Sequence, residues 1–134
     1  MVTDKRSYNV FQYDELFKDI GYPVASKVLK TVPKMWYPEP PNVRMFCFHG
    51  TLKPTPGNLK YPKGYFPDYD PVPNNVDGDG TVTHRSLRLC EEWVGKQKQE
   101  ITYQTFTNAE HNGILGDARF LRAFNKALKS IGEH

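Results

Sequence analysis

All 11 prolines of this 134-residue chain lie between Pro23 and Pro73, and none follows. Proline fixes φ and removes a backbone donor, which excludes it from helix interiors and from the middle of a sheet. The chain therefore divides into a punctuated first half and a regular second half. In the first, Tyr13, Leu16, Phe17 and Ile20 recur at helical spacing, with Asp14 and Glu15 in the first turn and Gly21 past the end, which predicts a short amphipathic helix. Pro23 opens a second helix with the stripe Val24, Val28, Leu29 and Val32, and Pro33 stops it. Trp36 and Tyr37, followed by Pro38, Pro40 and Pro41, suit a lid or linker more than a core. Residues 1–42 are accordingly expected to form a helical, proline-rich segment associated with a lid or cap, and residues 43–134 the body of the fold.

Val43 to Phe48 is apolar apart from Arg44 and predicts a buried strand ending at His49-Gly50. From Thr51 to Val76 no period survives, and Tyr61, Tyr65, Phe66 and Tyr69 favour a packed loop over disorder. Beyond it, Thr83 is a candidate cap for a helix with the face Ser86, Leu89, Cys90 and Trp93, ending near Gly95. Ile101 to Phe106 alternates and predicts a second strand. A short loop then leads to a last helix, capped by Asp117, with Phe120, Leu121, Phe124, Ala127, Leu128 and Ile131 toward the core. Strand, long loop, helix, strand, short loop, helix is the order of an α/β fold with parallel strands.

In such folds, sites form at the loops leaving the C-terminal ends of strands. Two candidates lie there: Asp79, within Asp77-Gly78-Asp79-Gly80-Thr81-Val82, and His111, directly after the second strand. An acid followed by a histidine matches the order Ser…Asp…His of an α/β-hydrolase triad. In that arrangement the histidine takes the proton of a nucleophilic hydroxyl, while the carboxylate fixes its tautomer and stabilises the imidazolium. Asp77 would shape the turn. Plainer readings stand beside this one, because Asp-Gly repeats make ordinary turns and His111 alone is an ordinary loop residue. His49 and His84 are further candidates, and the terminal His134 carries no signal. A different class, calcium binding, is offered by Asn75, Asp77, Asp79 and Gly80 at positions 1, 3, 5 and 6 of an EF-hand loop. Ser86 then stands at position 12 where glutamate belongs, and Pro71 and Pro73 replace the entering helix.

Charge excludes some partners. A net +3 with scattered lysines gives no footprint for nucleic acid; Lys27, Lys30 and Lys34 form a solvated face, with an anionic membrane surface as the second reading. No run of about 18 apolar residues exists, and the opening residues lack the apolar stretch of a signal peptide. Cys47 and Cys90 are the only cysteines; two buried thiols and one disulfide both remain open on the sequence alone.

Taken together, these residues resemble the C-terminal third of the family of lecithin–cholesterol acyltransferase and lysosomal phospholipase A2. The resemblance is carried by Asp14 to Gly21, by Cys47 with Gly50-Thr51, by Pro54-Thr55-Pro56 and by Asp68 with Asp70-Pro71. Asp77 to Val82, Cys90 with Trp93, and Glu110-His111 complete it. It implies the last strands of an α/β-hydrolase fold, with Asp79 as triad acid and His111 as base. It also implies a Cys47–Cys90 disulfide, hence a lysosomal or secreted setting, and chemistry that needs neither metal nor organic cofactor. The implied activity is cleavage of phospholipid acyl esters at a lipid surface, with transfer of the acyl group to water or a lipid alcohol.

The family's nucleophile sits in a G-x-S-x-G elbow, whereas Ser7, Ser26, Ser86 and Ser130 all lack the flanking glycines. His49 and Leu52 also depart from the family's strand-end motif, and no N-x-S/T sequon occurs. The expectation is therefore a C-terminal fragment, inactive by itself, that requires the upstream part of the hydrolase domain. The alternative is a catalytically dead interaction module on the same fold.

Overall fold

The computed structural model describes residues 1–32 and 38–132; Pro33, Lys34, Trp36, Tyr37 and His134, which entered the expectations above, lie outside them. The chain forms two compact units, one of residues 1–38 and 58–74, the other of residues 39–57 and 75–134.

In the first unit, α1 (Tyr13–Asp19) and α2 (Pro23–Thr31) occupy the segments the apolar spacing predicts, with Gly21 at φ +70° between them. The amino-terminal residues pair back on the chain: the Val2 N–H donates to the Leu59 carbonyl at 2.8 Å, and the Tyr61 N–H donates to the Val2 carbonyl at 2.8 Å. Of the aromatic residues expected to pack in the proline-rich stretch, Phe66 does so, its ring 5.8 Å from Tyr8 and 5.2 Å from Tyr61, whereas Tyr65 and Tyr69 stand exposed. The Tyr8 hydroxyl is pushed up to about 12 by burial and by its hydrogen bond to Asp19.

The second unit is built on a parallel pair, β1 (Met45–Thr51) and β4 (Ile101–Thr107), in the register Met45↔Ile101 through Thr51↔Thr107. This mixed helix and strand arrangement around a parallel sheet is an α/β fold. β1 extends through His49-Gly50, past the predicted end. Its Met45 to Phe48 portion is only half-buried, whereas His49, Gly50 and Thr51 are buried; a two-stranded sheet covers less of each face than a central strand enjoys. Phe48, Phe106 and Phe120 meet edge to face with centroids 6.0–6.1 Å apart, and Ala109 and Ile114 complete that small core.

Between β1 and the Asp-Gly turn the chain is more regular than expected. The predicted loop contains β2 (Lys53–Lys60) and β3 (Val72–Gly78), which pair as a two-stranded sheet. Pro54, Pro56 and Pro73 are tolerated because each strand of such a ribbon has an open edge, where a missing N–H breaks no ladder. Thr83 begins α3 (His84–Leu87), without a side-chain capping bond. The predicted helix then tightens into a 3-10 segment, Arg88–Trp93, that carries Cys90.

The last helix, α4 (Ala118–Ile131), is capped by Asp117, whose carboxylate accepts from the Arg119 N–H at 2.8 Å. Of the stripe expected to face the core, Ala127 is buried and Phe120 packs against the aromatic cluster. Leu121, Phe124, Leu128 and Ile131 stand exposed instead. The sheet is too small to cover them.

Candidate active site

Asp79 follows β3 directly. Its N–H donates to the Val82 carbonyl at 3.2 Å, and its Oδ1 accepts from the N–H groups of Thr81 at 3.1 Å and Val82 at 2.8 Å. The side chain is thus held by its own turn, where Gly80 takes φ +92°, a left-handed angle unstrained only for glycine. Gly78 lies so close to Thr55 and the Val82 carbonyl that an added Cβ would collide with both.

Below the turn sits Thr55, 0 % exposed. Its hydroxyl donates to the Lys53 carbonyl at 2.9 Å and accepts from the Gly80 N–H at 2.8 Å. Thr55 was not singled out as a site residue on the sequence, although a hydroxyl residue between two prolines was the available signal.

His111 arrives from β4. Asn108 takes φ +61°, which asparagine tolerates better than most residues, and donates its N–H to the Thr51 carbonyl at 2.7 Å. The Arg119 guanidinium, bonded to the Asp117 carboxylate, donates to the Thr107 carbonyl at 2.9 Å and anchors the base of the same loop. Gly50 completes the approach, since a Cβ there would strike the Ala109 carbonyl. The His111 N–H then donates to the Asp79 carbonyl at 2.9 Å.

The side chains meet as well, with His111 Nδ1 2.8 Å from Asp79 Oδ2. An ionised carboxylate only accepts, so Nδ1 carries the proton and the Nε2 lone pair faces outward. Among the described residues nothing is bonded to Nε2. The Asp79 side chain is 4 % exposed and that of His111 42 %. Burial alone would raise the Asp79 carboxyl; the hydrogen bonds from the Val82 N–H, His111 and the Thr81 N–H outweigh it and hold the group below the usual carboxylate range. Asp79, His111, Lys53 and Glu110 line an open depression of about 490 Å³, and Lys53 Nζ is 2.9 Å from Glu110 Oε1 across its rim.

The remaining candidates form a second cluster. Asp77 Oδ1 accepts from the Leu52 N–H at 2.6 Å, and Oδ2 lies 2.9 Å from His84 Nδ1. The His84 ring is 5.4 Å from that of His49. His49 is buried; its Nδ1 donates to the Gly50 carbonyl at 2.9 Å, and its Nε2 is 2.8 Å from the Tyr103 hydroxyl, which then donates to it. Burial, followed by the charge of Glu91, raises the Tyr103 hydroxyl above its ordinary value.

The oxygens of Asp77 and Asp79 are thus turned to different partners, and Asn75 and Asp77 lie in extended β3 rather than in a loop that wraps an ion. The calcium reading fails on that geometry. Among the described residues, no three His, Cys, Asp or Glu side chains converge on a point where a metal could sit.

The Cys47–Cys90 disulfide forms, with Cα atoms 6.5 Å apart across a sequence separation of 43. It ties β1 to the 3-10 segment after the turn. Closing a loop of that length restricts the unfolded chain by roughly 4 kcal/mol in the chain-entropy account.

A parallel pair of strands, of which β4 leads to His111, beside a ribbon whose β3 leads to buried Asp79, defines an α/β protein with a bonded aspartate–histidine pair. Residues 4–118 match the family model of lecithin:cholesterol acyltransferase, and the chain belongs to that family. It is 35% identical over 127 residues to the lysosomal phospholipase A and acyltransferase of Bos taurus, and 32% identical over 123 residues to that of Homo sapiens. It is 28% identical over 134 residues to the phosphatidylcholine-sterol acyltransferase of Mus musculus. These alignments cover 94%, 91% and 94% of this chain and 31%, 29% and 29% of the relatives. The chain thus spans about a third of the length of the curated relatives it matches.

Proposed function

We propose that this chain carries the acid and base of a serine-dependent lipid acyl hydrolase or acyltransferase, with the serine supplied by polypeptide outside these residues. One observation carries the reading: the 2.8 Å bond between buried Asp79 and His111 Nδ1, which leaves Nε2 free at the rim of an open depression. The names of the relatives, phospholipase and acyltransferase, support the substrate class.

In the proposed reaction, His111 Nε2 takes the serine proton as the serine oxygen attacks the acyl carbonyl of a phospholipid. Collapse of the tetrahedral adduct breaks the ester bond, and the same proton passes from Nε2 to the departing lysophospholipid oxygen. Water or a lipid alcohol then gives its proton to Nε2 and attacks the acyl-serine carbonyl; collapse of that adduct breaks the serine ester bond, Nε2 returns the proton to the serine oxygen, and the fatty acid or new acyl ester leaves. Asp79 holds the tautomer throughout and stabilises the imidazolium.

The division of labour proposed within the chain gives residues 1–42 to a lid or cap and residues 43–134 to the C-terminal part of the hydrolase domain. The exposed Leu121, Phe124, Leu128 and Ile131 and the unpaired edge of the β1–β4 sheet are surfaces the remainder of that domain would cover. A disulfide and lysosomal relatives favour a lysosomal or secreted setting. No helix among the described residues is long and apolar enough to cross a membrane.

The test is fatty-acid release from phosphatidylcholine vesicles by a polypeptide joining this chain to a serine elbow, beside this chain alone. The chain alone is expected to be silent, and His111→Ala in the joined polypeptide to lower turnover about 10⁴-fold. Turnover that survives His111→Ala within tenfold refutes the assignment. A joined polypeptide that folds and binds lipid without any turnover would favour the interaction module instead.

A further inference from the structure

The first residues of β2 reach the loops of both members of the Asp79–His111 pair. Strand alternation puts Lys53 and Thr55, two positions apart, on one face and Pro54 and Pro56 on the other. Burial follows that alternation: Thr55 is buried and Lys53 half-buried, whereas both prolines are exposed. Each proline also fixes its own φ, so the backbone on either side of the threonine has little freedom to turn.

Thr55 acts on the side of the acid. Its hydroxyl accepts from the Gly80 N–H at 2.8 Å, in the turn whose Thr81 and Val82 N–H groups grip Asp79 Oδ1. The hydroxyl proton goes to the Lys53 carbonyl at 2.9 Å, which leaves the oxygen lone pairs for Gly80. Lys53 acts on the side of the base. It forms a parallel bridge with Asp79, and its ammonium crosses to Glu110, the residue before His111, at 2.9 Å. A partly exposed ion pair holds little by itself. The His111 N–H is already tied to the Asp79 carbonyl, so the ion pair has only to limit residual motion of a loop that is otherwise built.

We propose that Lys53 and Thr55 are positioning residues for the Asp79–His111 pair. One face of β2 fixes the acid's turn through a hydroxyl and the base's loop through an ion pair, so the approach of carboxylate to imidazole is set from a single strand. The proposal rests on the reading of Asp79 and His111 as acid and base, but its readout needs no serine.

The Nδ1 proton of a histidine bonded to a carboxylate gives a far-downfield proton resonance, and its exchange with water reports how often the bond opens. In the whole chain, Asp79→Asn should abolish this resonance of His111. Thr55→Val keeps the shape and loses both bonds; it should raise the exchange rate about tenfold, while Thr55→Ser stays within roughly twofold of the parent. Lys53→Gln, at a partly exposed site, should raise the rate about threefold. Exchanging the partners, Lys53→Glu with Glu110→Lys, should return it to the parent value, which a change of local charge alone would not do. A purely structural threonine would lower the urea midpoint and leave exchange in the folded chain as it was. An unchanged rate in Lys53→Gln, or in a folded Thr55→Val, therefore overturns the proposal, and so does a serine variant that behaves like the valine. If Asp79→Asn keeps the resonance, the acid–base reading falls together with the positioning. Absent turnover in the joined polypeptide, with these rates as expected, would remove that reading's chemistry alone.

Discussion

Two aspartate–histidine pairs stand side by side in the second unit, carried by carboxylates only two residues apart. In each, a carboxylate Oδ2 lies within 2.9 Å of an imidazole Nδ1. Their surroundings differ. Asp79 is buried and accepts from two backbone N–H groups of its own turn, whereas the Asp77 side chain is 37 % exposed and spends its second oxygen on the Leu52 N–H. His111 turns its free nitrogen toward an open depression, while the His84 ring lies tilted 5.4 Å from that of the buried His49. The same two side chains therefore leave a histidine nitrogen open in one place, where we propose a base, and make a loop fastener in the other. Burial and second-oxygen partners decide which, rather than the pair itself.

The largest expected break in that comparison is in turnover. In a polypeptide that supplies the serine, Asp79→Asn should lower kcat about 10⁴-fold, because an amide Nδ2 facing Nδ1 favours the wrong imidazole tautomer. Asp77→Asn should leave kcat within roughly twofold, as expected of a substitution remote from the reacting atoms. Equal losses from the two substitutions would mean that the pairs share one function.

Stability should separate them next. Asp79→Ala removes a buried carboxylate from His111 and from the Thr81 and Val82 N–H groups of a partly buried turn, and is expected to cost about 3 kcal/mol. Asp77→Ala exposes its partners to water and should cost about 1 kcal/mol. Urea unfolding of the whole chain measures both, and a larger cost at Asp77 would invert the comparison.

A third break uses acid. The Asp79 carboxyl is held below its ordinary value in the folded chain, so its contribution is fully present above the unfolded value near pH 3.9 and is lost as pH falls through the folded value. The unfolding free energy should thus decline below about pH 4. Asp79→Asn is expected to flatten that decline, and Asp77→Asn should leave the Asp79 contribution to it in place. An unchanged acid slope in Asp79→Asn would show that the turn's hydrogen bonds do not discriminate the ionised form.

Much of this site was legible in the sequence because its chemistry is local. Asp79 sits in its own Asp-Gly turn, and His111 directly follows a strand with clear alternation, so period and punctuation located both. Thr55 and the Asp77–His84 pair escaped because their roles arise from contacts across 25 and 7 positions that no spacing rule encodes. The β2–β3 ribbon escaped for a related reason. Its prolines are incompatible with a central strand, and only the pairing pattern reveals that both strands keep an open edge. Periodicity finds an apolar stripe, but not the side toward which it turns. On α4 it found the stripe that, in this chain, stands largely uncovered.

The smallest effect concerns how the second pair is attached. Leu52 joins β1 to β2 at φ +61°, a left-handed angle that costs a residue with a Cβ about 1–2 kcal/mol. Its side chain is exposed and its N–H is the group that Asp77 Oδ1 holds at 2.6 Å. The strain is therefore compensated on the Asp77 side of the comparison, not on the Asp79 side. Leu52→Gly removes the Cβ that causes it at the expense of a more flexible unfolded chain. The net expectation is a gain of about 0.5–1 kcal/mol in urea unfolding. The double variant Leu52→Gly with Asp77→Ala sharpens the point: a strained Leu52 needs its hydrogen bond more than a glycine does, so Asp77→Ala should cost less in the glycine background. Strict additivity would show that Asp77 fastens His84 alone and carries none of the strain at the strand turn.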